Sequence, residues 1–508
     1  MNPTQPGKLF WLVVLLVFWG LFGLTGRDAW QGDEARTLAS VLAWLDAGES
    51  PWRAPAPLYT AVAGLFAAWG PFGLEMQDSA RLASGVFVLL AFLAIGQAAR
   101  GLLGRGFGVA AVLALVGGLG FMLHAHAMQA ETAVLAAWAS LFWGLGLARE
   151  QPRVAGVLLG VSITALGLGL HGLSDVLAAI LLLTVLLKFR AWQERAYRRS
   201  LGVALVVGAS GLAAGLAWMA LHGHLPAWWA LHGAAEWAQF PGVWGSPTHV
   251  LAELAWFAWP LWPLAAAAIW HDHRRLARTP ALHAPLMALL VLLGLAALPS
   301  FSRLGGLMPV LLPLALLAAQ ALVHLRRGAA QAFYWFGVLC FLFFASAFWV
   351  YFAAVEWGIP TKLAAHVARL TPTYAPGSVG VAQLGAAGLV TLLWLLAIPL
   401  FPRAAIRPVL VWATGMMMTW VLLISLFRPW ADASWGYRAV LTDMARHWPS
   451  PACLQIETDA VMAIMARYHL REQLRPPEAA GCGWRLIAFD RDAKSRKIER
   501  ETPGWAVR

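Results

Sequence analysis

Long apolar runs, separated by short polar segments, cover most of the 508 residues. A helix crosses a bilayer when about 20 mostly apolar residues follow one another, because each residue adds about 1.5 Å and the hydrocarbon core is about 30 Å thick. Runs that reach or approach this length lie at 9–25, 80–101, 107–123, 127–148, 154–170, 174–189, 200–221, 250–270, 282–299, 307–324, 331–352, 379–400 and 407–427. These runs predict a polytopic α-helical membrane protein with about 13 transmembrane helices.

Charged residues lie mainly in the short segments between these runs. Basic clusters such as Lys188–Arg190, Arg274–Arg275 and Arg326–Arg327 follow even-numbered runs. Segments after odd-numbered runs have few cations, and 221–249 contains no Lys or Arg. Because Lys and Arg concentrate in cytoplasmic loops, this alternation predicts a cytoplasmic N-terminus and a periplasmic C-terminus in a bacterial inner membrane.

The composition agrees with a membrane protein. Only 12% of the residues are charged, 60% are hydrophobic and the mean hydropathy is +0.66, whereas about a quarter of the residues of a soluble domain are charged. A net charge of +12 would suit a nucleic-acid partner, but the cations are divided among short clusters instead of forming one basic face. We therefore expect membrane lipids as partners and no nucleic acid.

The first external segment, at about 26–79, contains two predicted interfacial helices. In its first half, Leu38, Val41, Leu42 and Leu45 recur at helical spacing, which is typical of an amphipathic helix that lies in the membrane interface. The second helix is predicted at 56–70. We place it in the interface because a span there would move every later basic cluster to the other side of the membrane.

The composition changes at about residue 428, where charges return and the apolar runs become shorter. The segments 453–457 and 484–490 read as strands, and 460–470 reads as a helix. We predict two domains, a transmembrane domain at 1–427 and a small periplasmic α/β domain at 428–508.

The three cysteines have different expected roles. Cys340 lies inside a predicted span and is interpreted as a small apolar residue. Cys453 and Cys482 both lie in the tail, which the topology places in an oxidising compartment, so we predict a disulfide between them. Two buried thiols are the alternative.

Acidic residues near the external ends of predicted helices are candidates for catalysis, because ionisable groups at the membrane boundary are costly to bury. Asp33 and Glu34 begin the first interfacial helix, and Glu131 begins the fourth span. A carboxylate here can act as a general base towards an incoming hydroxyl or amine. The alternative is structural, because acids also stabilise the positive ends of helices.

Four cationic residues are candidates to bind a lipid-linked phosphate. Arg53, Arg81, His171 and Arg303 all lie at predicted external helix ends, and arginine offers paired donors that match phosphate. We rank Arg303 first because few other charges surround it. The alternative, which suits Arg81 best, is a side chain that extends to lipid headgroups.

Motifs of several other enzyme classes are missing from the sequence. It contains no Walker A loop, no Cys/His zinc signature, no GxGxxG motif in the helix context of a dinucleotide-binding fold and no GxSxG nucleophile elbow. His124 and His126 have a spacing that suits a metal ion, but two histidines are weak evidence for a metal site. We therefore predict neither an ATP-driven pump nor a nicotinamide enzyme, and we assign no metal ligands.

The chain resembles the GT-C superfamily of polyprenyl-phosphate-dependent glycosyltransferases over nearly its whole length. Its nearest branch looks like the bacterial relatives of protein O-mannosyltransferases and lipid A aminoarabinose transferases. The landmarks are Gly32–Asp33–Glu34, the Pro-rich stretch before Leu58–Tyr59, Arg81–Leu82, Glu131, the external turn Ser300–Arg303 with Pro309 and Pro313, and Tyr437–Arg438.

The resemblance implies an outward-facing cavity that a lipid-linked sugar enters from the membrane. It makes Asp33 the catalytic base of an inverting transferase, Glu34 and Glu131 supporting acids, and Arg303 a phosphate ligand. Tyr59 is expected at the cavity and acceptor site. The implied partners are a polyprenyl-phosphate-linked sugar and an acceptor that is lipid A, another glycan or a protein. No cofactor is assigned, and a divalent cation remains an open possibility.

The sequence departs from the family pattern at three positions. Ala54–Pro57 stands where members often have Glu-Lys before Pro-Pro, and Arg53 is the candidate to supply the missing cation. Glu131 replaces an Asp, and His171–Gly172 replaces Lys-Gly. Because these changes concern one cavity, the identities of donor and acceptor stay open.

Three other functions are compatible with the hydropathy profile. A surface-polysaccharide polymerase or ligase would need a large external loop rich in Arg and His, and 222–249 has no Arg. A lipid-linked sugar flippase or transporter would need inverted repeats and ionisable residues at mid-membrane, which we do not find. A catalytically reduced accessory subunit is the third alternative, because of the departures.

Overall fold

In the computed structural model, the described residues are 6–30, 32–234, 247–274, 279–297, 304–371, 374–446, 454–457, 460–470, 484–488 and 505–507. Helices account for nearly all of this part of the chain. The helices of the first half are α1 (Pro6–Leu21), α2 (Gly32–Ala47), α3 (Pro57–Trp69), α4 (Met76–Leu102), α5 (Gly108–Val116), α6 (Leu119–His124), α7 (Glu131–Leu147), α8 (Pro152–Thr164), α9 (Leu173–Leu186), α10 (Arg195–Leu221) and α11 (Leu225–Trp229).

The second half contains longer helices and a small sheet. Its helices are α12 (Pro247–Phe257), α13 (Leu261–Asp272), α14 (Pro280–Ala296), α15 (Leu311–His324), α16 (Arg327–Trp357), α17 (Thr361–Leu370), α18 (Val381–Leu400), α19 (Arg407–Trp435), α20 (Arg438–Ala445) and α21 (Ala460–His469). The strands are β1 (Leu454–Glu457), β2 (Trp484–Ala488) and β3 (Trp505–Val507). In the sheet, β1 is parallel to β2, and β3 is antiparallel to β2.

Seven helices of the described chain are long and apolar enough to cross a membrane, and an eighth span results if α12 and α13 count as one. Further apolar helices of 10–17 residues lie at 10–21, 57–69, 131–147, 173–186 and 280–296. The chain is therefore a multi-pass membrane protein with a nearly all-helical fold. The total of 13 spans stays a prediction.

Two predicted spans are not continuous helices. The run at 250–270 forms two helices that meet at 99°, because Pro260 lacks the N–H that would continue the helix. The run at 107–123 forms α5 and α6, which Gly117 and Gly118 separate. Gly118 is extended, with φ −70° and ψ 123°, and the N–H of Leu119 instead binds the carbonyl of Trp259 at 3.1 Å.

Small residues allow the helices of the transmembrane core to approach closely. At Gly101, an added Cβ would lie 2.5 Å from the carbonyl oxygen of Gly146, so the backbones of α4 and α7 are in direct contact. At Gly156 on α8, an added Cβ would lie 2.4 Å from Val203 on α10. Larger residues would separate both pairs of helices.

Residues 26–79, which the sequence predicts to be the first external segment, contain the helices α2 and α3; their side of the membrane and their position in its interface stay predictions. Leu38 and Val41 of α2 are fully buried, and α2 packs against α3, α4 and the tail helix α21. This packing positions the first turn of α2, which contains Asp33 and Glu34, beside the turn between α6 and α7.

Candidate functional site

A cavity of about 1200 Å³ lies among α2, the turn between α6 and α7, α16, α17 and α19. The polar part of its lining consists of Arg27, Asp33, Glu34, His124, His126, Gln129, Glu131 and Glu253. The rest of the lining, the apolar wall, is largely aromatic. It includes Phe343, Phe344, Phe348, Tyr351, Trp420, Phe427, Trp430 and Trp435.

Asp33 is the more accessible member of the acidic pair. It lies in the first turn of α2, where the positive end of the helix dipole favours a carboxylate. About 43% of its side chain is exposed, and it forms an ion pair with Arg36 one turn further on. Asp33 therefore combines contact with the cavity and contact with solvent.

Glu34 occupies the interior although it adjoins Asp33 in sequence. Its two oxygens accept hydrogen bonds from Arg27 at 2.8 and 2.9 Å, from Arg81 at 3.3 Å and from the backbone N–H of Met128 at 2.8 Å. Burial raises the pKa of Glu34, but Arg27 and Arg81 outweigh it and lower the pKa to about 2. A carboxylate with these partners remains charged and connects α2 to Arg27, to α4 and to the turn between α6 and α7.

Arg81 is not positioned to bind a ligand. Its side chain is fully buried, and its guanidinium donates to the carbonyl of Leu24 at 2.9 Å, to Asp78 at 3.0 Å and to Glu34. Because α4 carries it beneath the first external segment, it reaches neither the cavity nor lipid headgroups. The predictions of a phosphate contact and of a headgroup contact are therefore both corrected for Arg81.

Tyr59 is also placed differently from the prediction. It is fully buried and does not line the cavity. Its hydroxyl lies 2.6 Å from Ser84 Oγ, which itself donates to the carbonyl of Ala127 at 2.7 Å. Since the serine proton is used in that bond, Tyr59 donates to Ser84. The tyrosine thus links α3 to α4 and has no acceptor-binding position.

Glu131 lines the cavity together with Asp33 and Glu34, so the structure brings all three predicted acids to one site. It begins α7 and is half-buried. Among the residues that the structure describes, it has no hydrogen-bond or ion-pair partner. A carboxylate in this position is available to a molecule in the cavity.

The histidines beside Glu131 bind backbone carbonyls. His126 Nε2 lies 2.8 Å from the carbonyl of Trp19, and its ring stacks on Trp420 at 4.1 Å. Burial lowers the pKa of His126 to about 4, so it is neutral at physiological pH. His124 Nδ1 lies 3.0 Å from the carbonyl of Gly120. In the described chain, the two histidines belong to no group of metal-ligating residues.

Arg53 and His171 do not line this cavity. Arg53 is exposed at the end of a short 3-10 helix, Pro51–Arg53. His171 lies 3.1 Å from Asp175 Oδ2, and Asp175 also accepts a 2.6 Å hydrogen bond from Trp138 Nε1. Arg303 lies outside the described residues, as do Cys453 and Cys482 with their predicted disulfide.

Arg27 is a site residue that the sequence analysis missed. All five of its N–H groups have acceptors, namely the carbonyls of Gly23, Asp28 and His126 and both oxygens of Glu34. Its guanidinium also lies 4.6 Å from the centre of the Trp30 ring. Its place directly after the first apolar run was an available signal, because charges at a membrane boundary are costly unless paired.

The aromatic wall was also missed. It comes from α16 and α19, and an aromatic-rich run such as FLFFASAFWVYF at 341–352 is equally compatible with a helix that faces only lipid. The arrangement can hold a molecule with a long apolar tail and a polar end. Its polar side offers carboxylates, and Arg27 is the one Lys or Arg among the described lining residues.

Two solved structures are similar to this chain over nearly its full length. ArnT from Cupriavidus metallidurans bound to undecaprenyl phosphate matches with a TM-score of 0.66 and 15% identity, covering 95% of this chain and 94% of that protein. ArnT from the same organism in the apo state matches with a TM-score of 0.64 and 15% identity, covering 99% and 97%. The chain has the ArnT fold.

This likeness confirms the resemblance to the GT-C glycosyltransferases at the level of the fold. No protein-family model and no curated protein sequence matches the chain. At 15% identity, the ArnT fold shows how the helices are arranged, and the function has to be argued from the site.

Proposed function

We propose that the protein is an inverting glycosyltransferase that moves a sugar from a polyprenyl-phosphate carrier to an acceptor at the periplasmic face of the bacterial inner membrane. The observation that carries this proposal is one cavity whose lining combines Asp33 and Glu131 with aromatic side chains of α16 and α19. The external side of that cavity, the cytoplasmic N-terminus and a periplasmic domain at 428–508 follow from the distribution of basic clusters.

The shape and polarity of the cavity suit a lipid-linked donor. Phe344, Phe348 and Phe427 offer an apolar surface to an isoprenoid chain, while the carboxylates lie on the side where a sugar would sit. The ArnT structure with the same fold contains undecaprenyl phosphate, a molecule of this class. Such a donor already carries its leaving group, so the protein needs to orient it and to activate the acceptor.

Asp33 is the proposed general base. The base must reach the acceptor and give up a bound proton afterwards, and Asp33 meets both conditions because it contacts the cavity and is partly exposed. Glu34 does not meet them, since its oxygens bind Arg27, Arg81 and Met128. We therefore assign Glu34 to the support of α2, and Glu131 to contact with the donor or acceptor.

The phosphate needs a cation, and the described cavity offers no free guanidinium. All N–H groups of Arg27 have acceptors in the protein. We propose that Arg303 supplies this contact, as the sequence predicted. In the reaction, the acceptor oxygen or nitrogen forms a bond to the anomeric carbon and the bond to the phosphate oxygen breaks. Asp33 takes the acceptor proton, and attack opposite to the phosphate inverts the anomeric centre.

The test is transfer by the purified protein in nanodiscs. A panel of radiolabelled polyprenyl-phosphate pentoses and hexoses is offered together with lipid A, glycan and peptide acceptors, and NMR gives the anomeric configuration of the product. We expect donor cleavage with inversion, and a decrease of at least about 1000-fold in Asp33→Asn. The matched control is Asp46→Asn at the other end of α2, which should keep wild-type turnover.

Three outcomes would contradict the proposal. Translocation of the donor without cleavage would favour a flippase, and no reaction with any donor would favour an accessory subunit. Near-normal turnover of Asp33→Asn would exclude Asp33 as the base.

A further inference from the structure

The segment 438–470 contacts the first external segment next to the cavity. The helix α21 packs on α2 and on α20, and its residues Val461, Met462 and Met465 are buried. An added Cβ at Gly32, the residue before Asp33, would lie 3.6 Å from the side chain of Val461. The tail helix therefore touches α2 at the turn that carries the proposed base.

Asp28 connects this tail segment to the rest of the protein. Its Oδ2 accepts a hydrogen bond of 2.7 Å from the backbone N–H of Arg438, and its Oδ1 lies 3.4 Å from His469 Nε2. Its own N–H donates to Asp432 Oδ1 at 2.9 Å. Asp28 thus contacts both ends of the segment through its carboxylate and the end of α19 through its backbone N–H.

Neighbouring contacts join the same three parts of the chain. Trp30 Nε1 donates to Asp432 Oδ1 at 2.7 Å, and Trp30 lines the cavity. Arg438 forms an ion pair with Glu75, and the N–H of Gln77 donates to the hydroxyl of Tyr468 at 3.3 Å. Together with Asp28, the contacts of Arg438 and Tyr468 therefore hold the tail segment against the first external segment at several points.

The carboxylate of Asp28 and the ring of His469 are both buried. Its side chain is about 4% exposed and that of His469 about 7%, so neither is well solvated. Burial raises the pKa of Asp28, but His469 and the backbone N–H groups of Arg438 and Ala29 outweigh it and lower the pKa. A buried carboxylate of this kind loses its stabilising contacts when the tail segment moves away.

We propose that Asp28 is a positioning residue, which anchors the tail segment 438–470 on the first external segment and so holds α2 with Asp33 at the cavity. This inference rests on the proposed function of Asp33. The tail segment is then part of the catalytic unit, because a displacement of about 1 Å at a reacting group can reduce a rate by about 100-fold.

The first test is Asp28→Asn in the full-length protein. The substitution removes the charge that faces His469 and keeps the size of the side chain. We expect kcat to fall about 10-fold to 100-fold, while KM for the polyprenyl-phosphate donor changes by less than about twofold. Hydrogen exchange should increase in both 32–47 and 438–470. Asp443→Asn, on the exposed face of α20, is the matched control and should change neither.

The second test is a rescue that a general loss of stability would not show. In the Asp28→Asn background, Gly32→Cys and Val461→Cys are introduced as a cysteine pair, because an added Cβ at Gly32 would lie 3.6 Å from Cγ2 of Val461. Oxidation should restore kcat at least about fivefold relative to the same protein after reduction, with the new bond mapped by peptide mass spectrometry. This comparison within one protein removes differences in expression or folding.

The outcomes separate this inference from the proposed function. If Asp33→Asn is inactive while Asp28→Asn keeps wild-type kcat and exchange, the anchoring role is wrong and the base assignment stands. A disulfide that forms without any recovery of kcat would also refute the anchoring role. If Asp33→Asn is fully active, the proposed function itself fails, and the exchange data alone then decide whether Asp28 anchors the tail segment.

Discussion

Two regions around the start of α2 contain acidic groups in opposite situations. The first is the buried charge cluster, formed by Arg27, Glu34, Asp78 and Arg81, in which each carboxylate has cationic or backbone donors. The second is the cavity, where Asp33 is partly exposed and Glu131 has no ion-pair partner in the described chain. Asp33 and Glu34 are adjacent in sequence and both line the cavity, yet only Glu34 belongs to the buried charge cluster.

This difference separates support from chemistry. A buried ion pair is expensive to break because the partner left behind has neither water nor a counter-charge. A partly exposed acid can be neutralised with little effect on stability but with a large effect on proton transfer. Asp33 and Glu34 are therefore expected to have different functions. The four predictions below test the buried charge cluster and the cavity separately.

The largest effect is expected for Glu34→Gln. The change leaves the buried guanidinium groups of Arg27 and Arg81 without their shared counter-charge, so the free energy of unfolding should fall by about 3–5 kcal/mol. Chemical denaturation in detergent micelles measures this. Asp33→Asn is the matched control, one residue earlier, and should cost less than about 1 kcal/mol. Equal losses in the two variants would contradict the comparison.

The second prediction concerns pH. Because the pKa of Glu34 is about 2 in the folded protein and 4.5 in an ordinary glutamate, its ionisation stabilises the folded state fully above about pH 4.5. This contribution, about 3 kcal/mol, is lost as the pH falls from 4.5 towards 2. Between pH 7 and pH 3, the midpoint temperature of thermal unfolding should therefore fall more steeply in the wild type than in Glu34→Gln. Parallel curves would show that Glu34 is not the responsible group.

The third prediction concerns the apolar wall. Phe344→Ala removes an aromatic ring from the cavity, which should weaken binding of a long isoprenoid by about 1–2 kcal/mol and raise KM about tenfold. A donor with a short prenyl chain should be affected less. Leu339→Ala on the same helix is the control, because Leu339 is 62% exposed and does not line the cavity. The same KM increase in both variants would show that the aromatic wall does not contribute to donor binding.

The smallest effect is expected for Arg36→Ala. Arg36 and Asp33 form an ion pair in which both side chains are about half exposed, and such pairs contribute about 0–1 kcal/mol. The midpoint of chemical denaturation should therefore hardly change, in contrast to Glu34→Gln. A large loss of stability would mean that the accessible acid is also structural.

Local patterns were enough to predict much of the fold but little of the buried charge cluster. The spacing of Leu38 and Val41 predicted α2, because amphipathic periodicity is a property of neighbouring residues. The placement of Arg81 was wrong, because its partners Leu24, Glu34 and Asp78 meet only after α1, α2 and α4 have assembled. The predicted position of Tyr59 at the acceptor site was wrong for the same reason, since its partner Ser84 lies on another helix.

The sequence by itself determined that this chain is a multi-pass helical membrane protein, because the cost of exposing backbone and charges to lipid selects long apolar helices. It also placed Asp33, Glu34 and Glu131 among the candidates. Only the tertiary structure decided which acid is buried, that all N–H groups of Arg27 have acceptors, and that aromatic residues of α16 and α19 line the same cavity as these acids. These facts depend on contacts between residues far apart in the chain, and no local pattern encodes them.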